Sequence, residues 1–502
     1  MLQQLSDPTS PNYQQYLTPE QFTVQFGPTE EDYKALIDFA ESNGLVVTAT
    51  HPNRTILDVS GAAADIENAF HVNIMSYWHP VRGAFYAPDR EPSLDFDIQT
   101  LDISGLDNFE LPRPMALETI PLTQTTPFVT GSGPAGLFIG KDFRAAYAPG
   151  VTLTGAGQTV GLLEFDGFYA TDVQANFKQA GVTAVPTQTV LLDGVSGAPG
   201  GGNIEVILDI MMAAYMAPGL SKVMVYEGSN PNDILNRMAT DNLAQQLSSS
   251  WGFSPINATT EQIFKQYIAQ GQSFFQASGD SGAYKGSIMS PSDDPNVTVV
   301  GGASLTTAGQ GGPWQSESTW SGSGGGISTT YPIPSYQQGL NMAANGGSAT
   351  MRNIPDVALT AAVQMFLIQS NGHAVAVGGT SAAAPLQEAI EQRRAEAGLL
   401  QAHGELEARV QRRTAELAAA NQRLHLEIAE RKRAEEALRK QASLLDLAHD
   451  AILVRDMNGN IAFWNPGAEE SYGWPAQEAL GKSAYELLGS EYPGGSRTLR
   501  RP

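Results

Sequence analysis

The chain contains no cysteine, which excludes disulfide staples and thiolate metal sites and leaves the redox compartment open. Basic residues are scarce: 29 Lys+Arg stand against 52 Asp+Glu, a net charge of −23. The deficit is concentrated, because residues 1–385 hold 13 Lys+Arg and 34 Asp+Glu, net −21, while residues 386–502 hold 16 and 18, net −2. So acidic a first part argues against nucleic-acid binding and allows solubility in acid. No long uncharged apolar run is present and no leader pattern follows Met1, so neither a membrane segment nor a signal peptide is expected. The 502 residues suffice for two or three domains.

What is present starts with Gly378-Gly379-Thr380-Ser381-Ala382-Ala383-Ala384-Pro385, where a glycine turn runs into an alanine-rich helix. A serine there is presented sharply with backbone N–H groups nearby, as an acyl-transfer nucleophile requires; read alone, such a serine is more often a helix cap. Upstream, Glu205 and Asp209 stand four apart in an otherwise apolar run, Ile204 to Met212, and on a helix they share one face. Burial and mutual repulsion there raise at least one pKa, an arrangement suited to acid/base work. Ser278-Gly279-Asp280 follows a short apolar strand, Gln272 to Gln276, and places an acid in a turn at a strand's carboxyl end, where open α/β sheets hold their sites. Alone, it reads as an Asx-turn.

In this order and spacing the three stretches resemble the sedolisin (serine-carboxyl peptidase, kumamolisin-like) family. The resemblance implies Ser381 as nucleophile, Glu205 as general base, Asp209 as the acid orienting it and Asp280 as oxyanion donor. Glu164 in Gly161-Leu162-Leu163-Glu164 and Trp251 in Ser249-Ser250-Trp251-Gly252 fit the family's supporting hydrogen-bond network. The stretches Trp320 to Gly326 and Pro355-Asp356-Val357-Ala358 are also family-like. The chemistry is self-consistent. A glutamate near 4.3 still accepts a proton where a histidine near 6.5 is already charged, and Asp280 must be protonated to donate, so both point to an acidic working pH. The nearest rival base is His373, eight residues before Ser381. The expected substrate is a protein or peptide.

The implied architecture is α/β. A subtilisin-like doubly wound parallel sheet, truncated at its C-terminal end, is preceded by an antiparallel α/β propeptide and followed by a long coiled-coil helix and a partial α+β PAS fold. Residues 1–110 are expected to form the activation propeptide, N-terminally incomplete, with Thr18-Pro19-Glu20-Gln21 as a capping box and a helix over 29–43 stopped by Gly44. Residues 111–135, rich in Pro and Thr, read as a linker containing the autocatalytic processing region. Residues 136–386 make the catalytic domain. Gly131-Ser132-Gly133-Pro134-Ala135-Gly136 matches a dinucleotide fingerprint only in letters, since no clear strand leads into it.

Past Pro385 the composition turns to Ala, Leu, Glu and Arg. Val410, Leu417, Leu424, Leu438 and Leu445 recur at seven-residue spacing, broken by Arg431, so residues 387–441 predict a coiled-coil signalling linker and a homodimer through it. Residues 442–502 resemble the opening half of a PAS domain, with an Asn458-Gly459 turn and with Trp464 and Trp474 read as core before ligand pocket. The calcium ion that the family implies lacks its ligand segment, so no metal or cofactor residue is expected. Extracellular location is implied for the peptidase part and cytoplasmic for the PAS part, a conflict that suggests a chimera joined near Leu386. The alternative function is an inactive peptidase-like module fused to a sensory and dimerisation region.

Overall fold

The computed structural model describes residues 1–95, 100–115, 118–121, 130–254, 256–362 and 366–489. It divides into two compact bodies, Met1–Leu400 and Gln401–Pro502.

The first body is organised by an eight-stranded sheet. Its spatial order is Trp314–Thr319, Thr298–Thr307, Ser273–Ala277, Gln246–Ser249, Thr159–Glu164, Lys222–Glu227 and Thr187–Leu191, with Val357–Thr360 also on the long second strand. Every pairing is parallel except that of Trp314–Thr319. Val160, Leu162, Leu163 and Val223 to Tyr226 are buried without alternation, because helices cover both faces of a parallel sheet. After Thr159–Glu164 the chain builds Thr187–Leu191 and Lys222–Glu227 on one side, then crosses to Gln246–Ser249 on the other. That reversal opens a crevice at the carboxyl ends of Thr159–Glu164 and Gln246–Ser249. The doubly wound parallel sheet is as expected.

Helix Asn203–Met216 is apolar on all sides and, from Glu205 onward, entirely buried. A helix of that composition has no solvent face to offer, so its two carboxylates enter the core with it.

The N-terminal module contains the expected capping box, with Thr18 Oγ1 accepting from Gln21 N and Gln21 Oε1 accepting from Thr18 N, at the head of helix Pro19–Phe26. Helix Glu30–Ser42 ends at Gly44, whose φ of +80° is left-handed. The expected antiparallel sheet is instead two separate hairpins among the described residues, Val46–Thr50 with Leu57–Ser60 and Ile74–His79 with Gly83–Pro88. Alternation predicts strands but not which strands meet.

Two parts of the expected linker are strands. Arg113–Pro114 pairs antiparallel with Trp251–Gly252, and Glu118–Pro121 pairs antiparallel with His373–Gly378. Residues 116–117 and 122–129 of that linker lie outside the described residues.

Helix Thr380–Asp446 begins in the first body. Ala389 is buried in the main core and Ile390 packs against it, so residues assigned by composition to the coiled coil belong to the first body. In the second body the strands Leu453–Arg455 and Ile461–Trp464 form the predicted hairpin around Gly459, φ +90°. Trp464 is buried with Ile461, Ala468, Ala479 and Ala484, whereas Trp474 is exposed, so only the first tryptophan is core.

Candidate active site

The sheet and the buried helix bring together all six residues that the sequence singles out. Glu164 ends its strand at the switch point and accepts a hydrogen bond from Trp251 Nε1 at 2.7 Å, a bond that spans the crevice. Trp251 is held where it is by the approach of its ring to Gly202, where a Cβ would lie 2.6 Å from the indole. Asp166 organises the same loop by accepting from Gly200 N and Gly202 N, both at 2.6 Å.

Glu205 and Asp209 share one face of their helix, as the four-residue spacing requires. Asp209 Oδ1 accepts from Ser250 Oγ at 2.7 Å, and Ser250 Oγ also reaches the Ser381 carbonyl at 3.2 Å. That carbonyl is available because Pro385, four residues on in the helix, has no N–H to offer it. Ser381 Oγ is buried and sits close enough to Glu205 to favour its ionised form, yet outside hydrogen-bond geometry.

Burial pushes Glu205 well above the ordinary glutamate value, reinforced by the charge of Asp209. Burial likewise raises Asp209, with the charge of Glu164 next, and raises Glu164 despite the Trp251 bond. A chain of carboxyls this close holds protons between its members, so that only part of it ionises.

Asp280 Oδ1 accepts from Thr380 N at 2.7 Å and Thr380 Oγ1 at 2.8 Å, while Thr380 Oγ1 accepts from Gly279 N at 3.0 Å. The Ser-Gly-Asp turn is thereby locked to Thr380, the residue before Ser381. Gly324 closes over it, because a Cβ there would lie 2.0 Å from Ser278 O. His373 is exposed at the far end of strand His373–Gly378, roughly 17 Å from the strand's other end at about 3.3 Å per residue, and takes no part. Ser132 N, in the glycine-rich decoy, donates to Asp142 at 2.8 Å and is thus unavailable to a phosphate.

Composition alone misses Glu388. It is fully buried, accepting from Ser248 Oγ at 2.8 Å and Gly161 N at 3.3 Å, and when ionised it raises Asp209 further. Its position seven residues after Ser381, two turns along one helix, was the available signal.

Residues 1–109 match the family model of the Pro-kumamolisin activation domain. The chain is 29% identical over 422 residues to kumamolisin from Bacillus sp. (strain MN-32), covering 76% of this chain and 75% of the relative. It is 27% identical to sedolisin from Pseudomonas sp. (strain 101), covering 77% of this chain and 72% of the relative. Over about three quarters of its length the chain is thus similar to serine-carboxyl peptidases of the sedolisin kind. Against xanthomonalisin from Xanthomonas sp. (strain T-22), the chain is 28% identical over 457 residues, which cover 76% of it and 54% of the relative. Among solved structures it is similar to Pseudomonas sedolisin (serine-carboxyl proteinase) complexed with two molecules of pseudo-iodotyrostatin, at TM-score 0.47 and 26% identity over 54% of this chain and 82% of the other. Residues 440–497 match the PAS fold. No helix among the described residues is long and apolar enough to cross a membrane.

Proposed function

We propose that this chain is the precursor of a serine-carboxyl endopeptidase that works in acid and releases its own propeptide. The observation that carries this reading is a peptide already lying in the crevice. Arg113–Pro114 adds as an antiparallel strand to Trp251–Gly252, and Met115 N donates to the carbonyl of Ser250 at 3.1 Å, the residue whose hydroxyl reaches the Ser381 carbonyl. Strand addition presents a peptide bond through main-chain contacts, independent of most side chains, as an endopeptidase requires.

On this reading Ser381 Oγ attacks the scissile carbonyl carbon while its proton passes to Glu205, which lies on the same helix face as Asp209. The oxyanion so formed faces Asp280, whose Oδ1 is occupied by Thr380 and whose donated proton is carried on Oδ2. Collapse of the intermediate returns the proton from Glu205 to the leaving amine, leaving the acyl-serine. Water then repeats the sequence, giving its proton to Glu205 and freeing the acid product and Ser381. The calcium that the resemblance implies takes an all-oxygen ligand set, and among the described residues the one cluster of ligating side chains includes a histidine, so no step is assigned to calcium.

A dimer through the C-terminal helix joins this reading, because Val410, Leu417, Leu424, Leu438 and Leu445 stand 42–65% exposed along one seam. An inactive peptidase-like module serving a sensory dimer is the reading that remains if the site is silent. Intact-mass analysis of the chain shifted from neutral to about pH 4, beside Ser381→Ala, decides between them. Cleavage within residues 111–134 in the parent alone supports acyl transfer, and no cleavage in either withdraws it.

A further inference from the structure

Away from the crevice, the N-terminal module meets the catalytic part over helix Pro231–Asp241. Asn53, fully buried, donates to Asn236 Oδ1 at 2.6 Å and Gln266 Oε1 at 3.0 Å. Beside this contact His51 and Asp58 from the N-terminal module face Asp233 on that helix, with one ligating atom from each lying within 4.8 Å of the others. His51 Nε2 and Asp58 Oδ2 are 2.9 Å apart. Asp233 is 5% exposed, and its Oδ1 is buried with no hydrogen-bond partner.

The charges around this group do not balance. Asp193 adds a further carboxylate alongside, its Oδ2 occupied by Ser229 N at 2.7 Å and Asn230 N at 2.8 Å. Tyr33 contributes a neutral hydroxyl that accepts from His51 N and donates to Ile56 O. The guanidinium of Arg54 is engaged elsewhere, by Pro28 O at 2.7 Å and by Glu30. Packing Asp233 into the core beside Asp58 and Asp193 is unfavourable, and a bound cation relieves that crowding of acids.

We infer that His51, Asp58 and Asp233 form a site for a divalent first-row cation of the zinc type, shared between the N-terminal module and the catalytic part. One imidazole nitrogen and two carboxylate oxygens suit zinc, with a fourth position left for water, and the histidine disfavours calcium. An ion held by both parts favours their docked state by mass action, since the separated parts retain only a fraction of the ligands. The cation therefore retains the propeptide, independently of the peptidase chemistry proposed above.

The test uses the full, tag-free chain carrying Ser381→Ala so that it stays intact, titrated with zinc chloride by calorimetry at neutral pH. The expected result is one site per chain with Kd of about 10 µM or tighter, weakened about 100-fold in Asp233→Asn and in His51→Gln. His79→Gln, outside the cluster, should leave Kd unchanged. Zinc-edge X-ray absorption on the unsubstituted site should show a single imidazole among nitrogen and oxygen ligands at about 2.0–2.2 Å. Binding no tighter than about 1 mM, unchanged Kd in both cluster variants, or a shell of two or more imidazoles would each overturn the site. None of these outcomes depends on whether Ser381 is catalytic.

Discussion

Replacing Glu388 with glutamine isolates the thermodynamic consequence of packing carboxyls into the core. The side chain has no exposed surface and accepts from Gly161 N and Ser248 Oγ. Glutamine keeps the shape, its oxygen keeps the Gly161 bond, and the Ser248 hydroxyl can rotate to accept from the new amide. Burial raises Glu388 well above the ordinary glutamate value, ahead of the opposing effect of those two bonds. The folded chain therefore holds this proton over a pH range in which the unfolded chain has released it. Its stabilising contribution is complete below the unfolded value of about 4.5 and drains away as pH rises toward the raised folded value, at about 1.4 kcal/mol per pH unit. The glutamine variant has no proton to lose. In urea unfolding of the Ser381→Ala chain at pH 4.5, 5.5 and 6.5, stability of Glu388→Gln relative to the parent should grow with pH, by at most about 1.4 kcal/mol for each unit. A difference constant across the three pH values would refute the claim that Glu388 is folded in its neutral form. The same sign applies to Glu164, Glu205 and Asp209, so the first body is expected to be more stable in acid than at neutrality.

Four further expectations can be checked directly. Ser381→Ala should abolish acid-dependent cleavage, by at least about a thousandfold in single-turnover rate, without lowering the thermal midpoint, because its Oγ makes no hydrogen bond in the resting structure. Trp251→Phe removes the 2.7 Å bond to Glu164 while keeping the ring, and should lower kcat about tenfold with KM little changed, read from a pH–rate series. Asn53→Ala leaves Asn236 and Gln266 short of a buried partner and should cost about 2 kcal/mol, seen as a lower midpoint and faster propeptide release. Asn465→Ala removes the cap on Ala468 N, the bond from Ile452 N and donations to the Leu445, Ala448 and Asp450 carbonyls. Amide exchange across residues 450–489 in the full chain should accelerate by the equivalent of about 3 kcal/mol.

The spacing of Glu205 and Asp209 sufficed to put both on one helix face, and the apolar run around them sufficed to bury that face, because helical geometry is local. The same holds for the Thr18 capping box and for the hairpin at Gly459, whose partners lie within a few residues. Composition located the change of character after Pro385 but placed the boundary too early, since Glu388 and Ala389 have helical neighbours of one kind and tertiary neighbours of another. The expected linker shows the opposite error. Its prolines and threonines promise an exposed tether, yet Arg113–Pro114 and Glu118–Pro121 find open strand edges on the catalytic part, and a strand needs only a partner's unpaired backbone.

The sequence by itself determined the chemical inventory: a serine at a turn, two acids one helical turn apart, an acid in a glycine turn, and too few basic residues for a polyanion partner. Only the tertiary structure decided what those groups face. Asp280 meets Thr380 across 100 residues, Glu388 reaches Gly161 across 227, and His51 meets Asp233 through the docking of one module on another. Side-chain periodicity carries information over a few turns of chain, whereas the pKa values, the occupied crevice and the shared cation site depend on contacts that exist only after the sheet has closed.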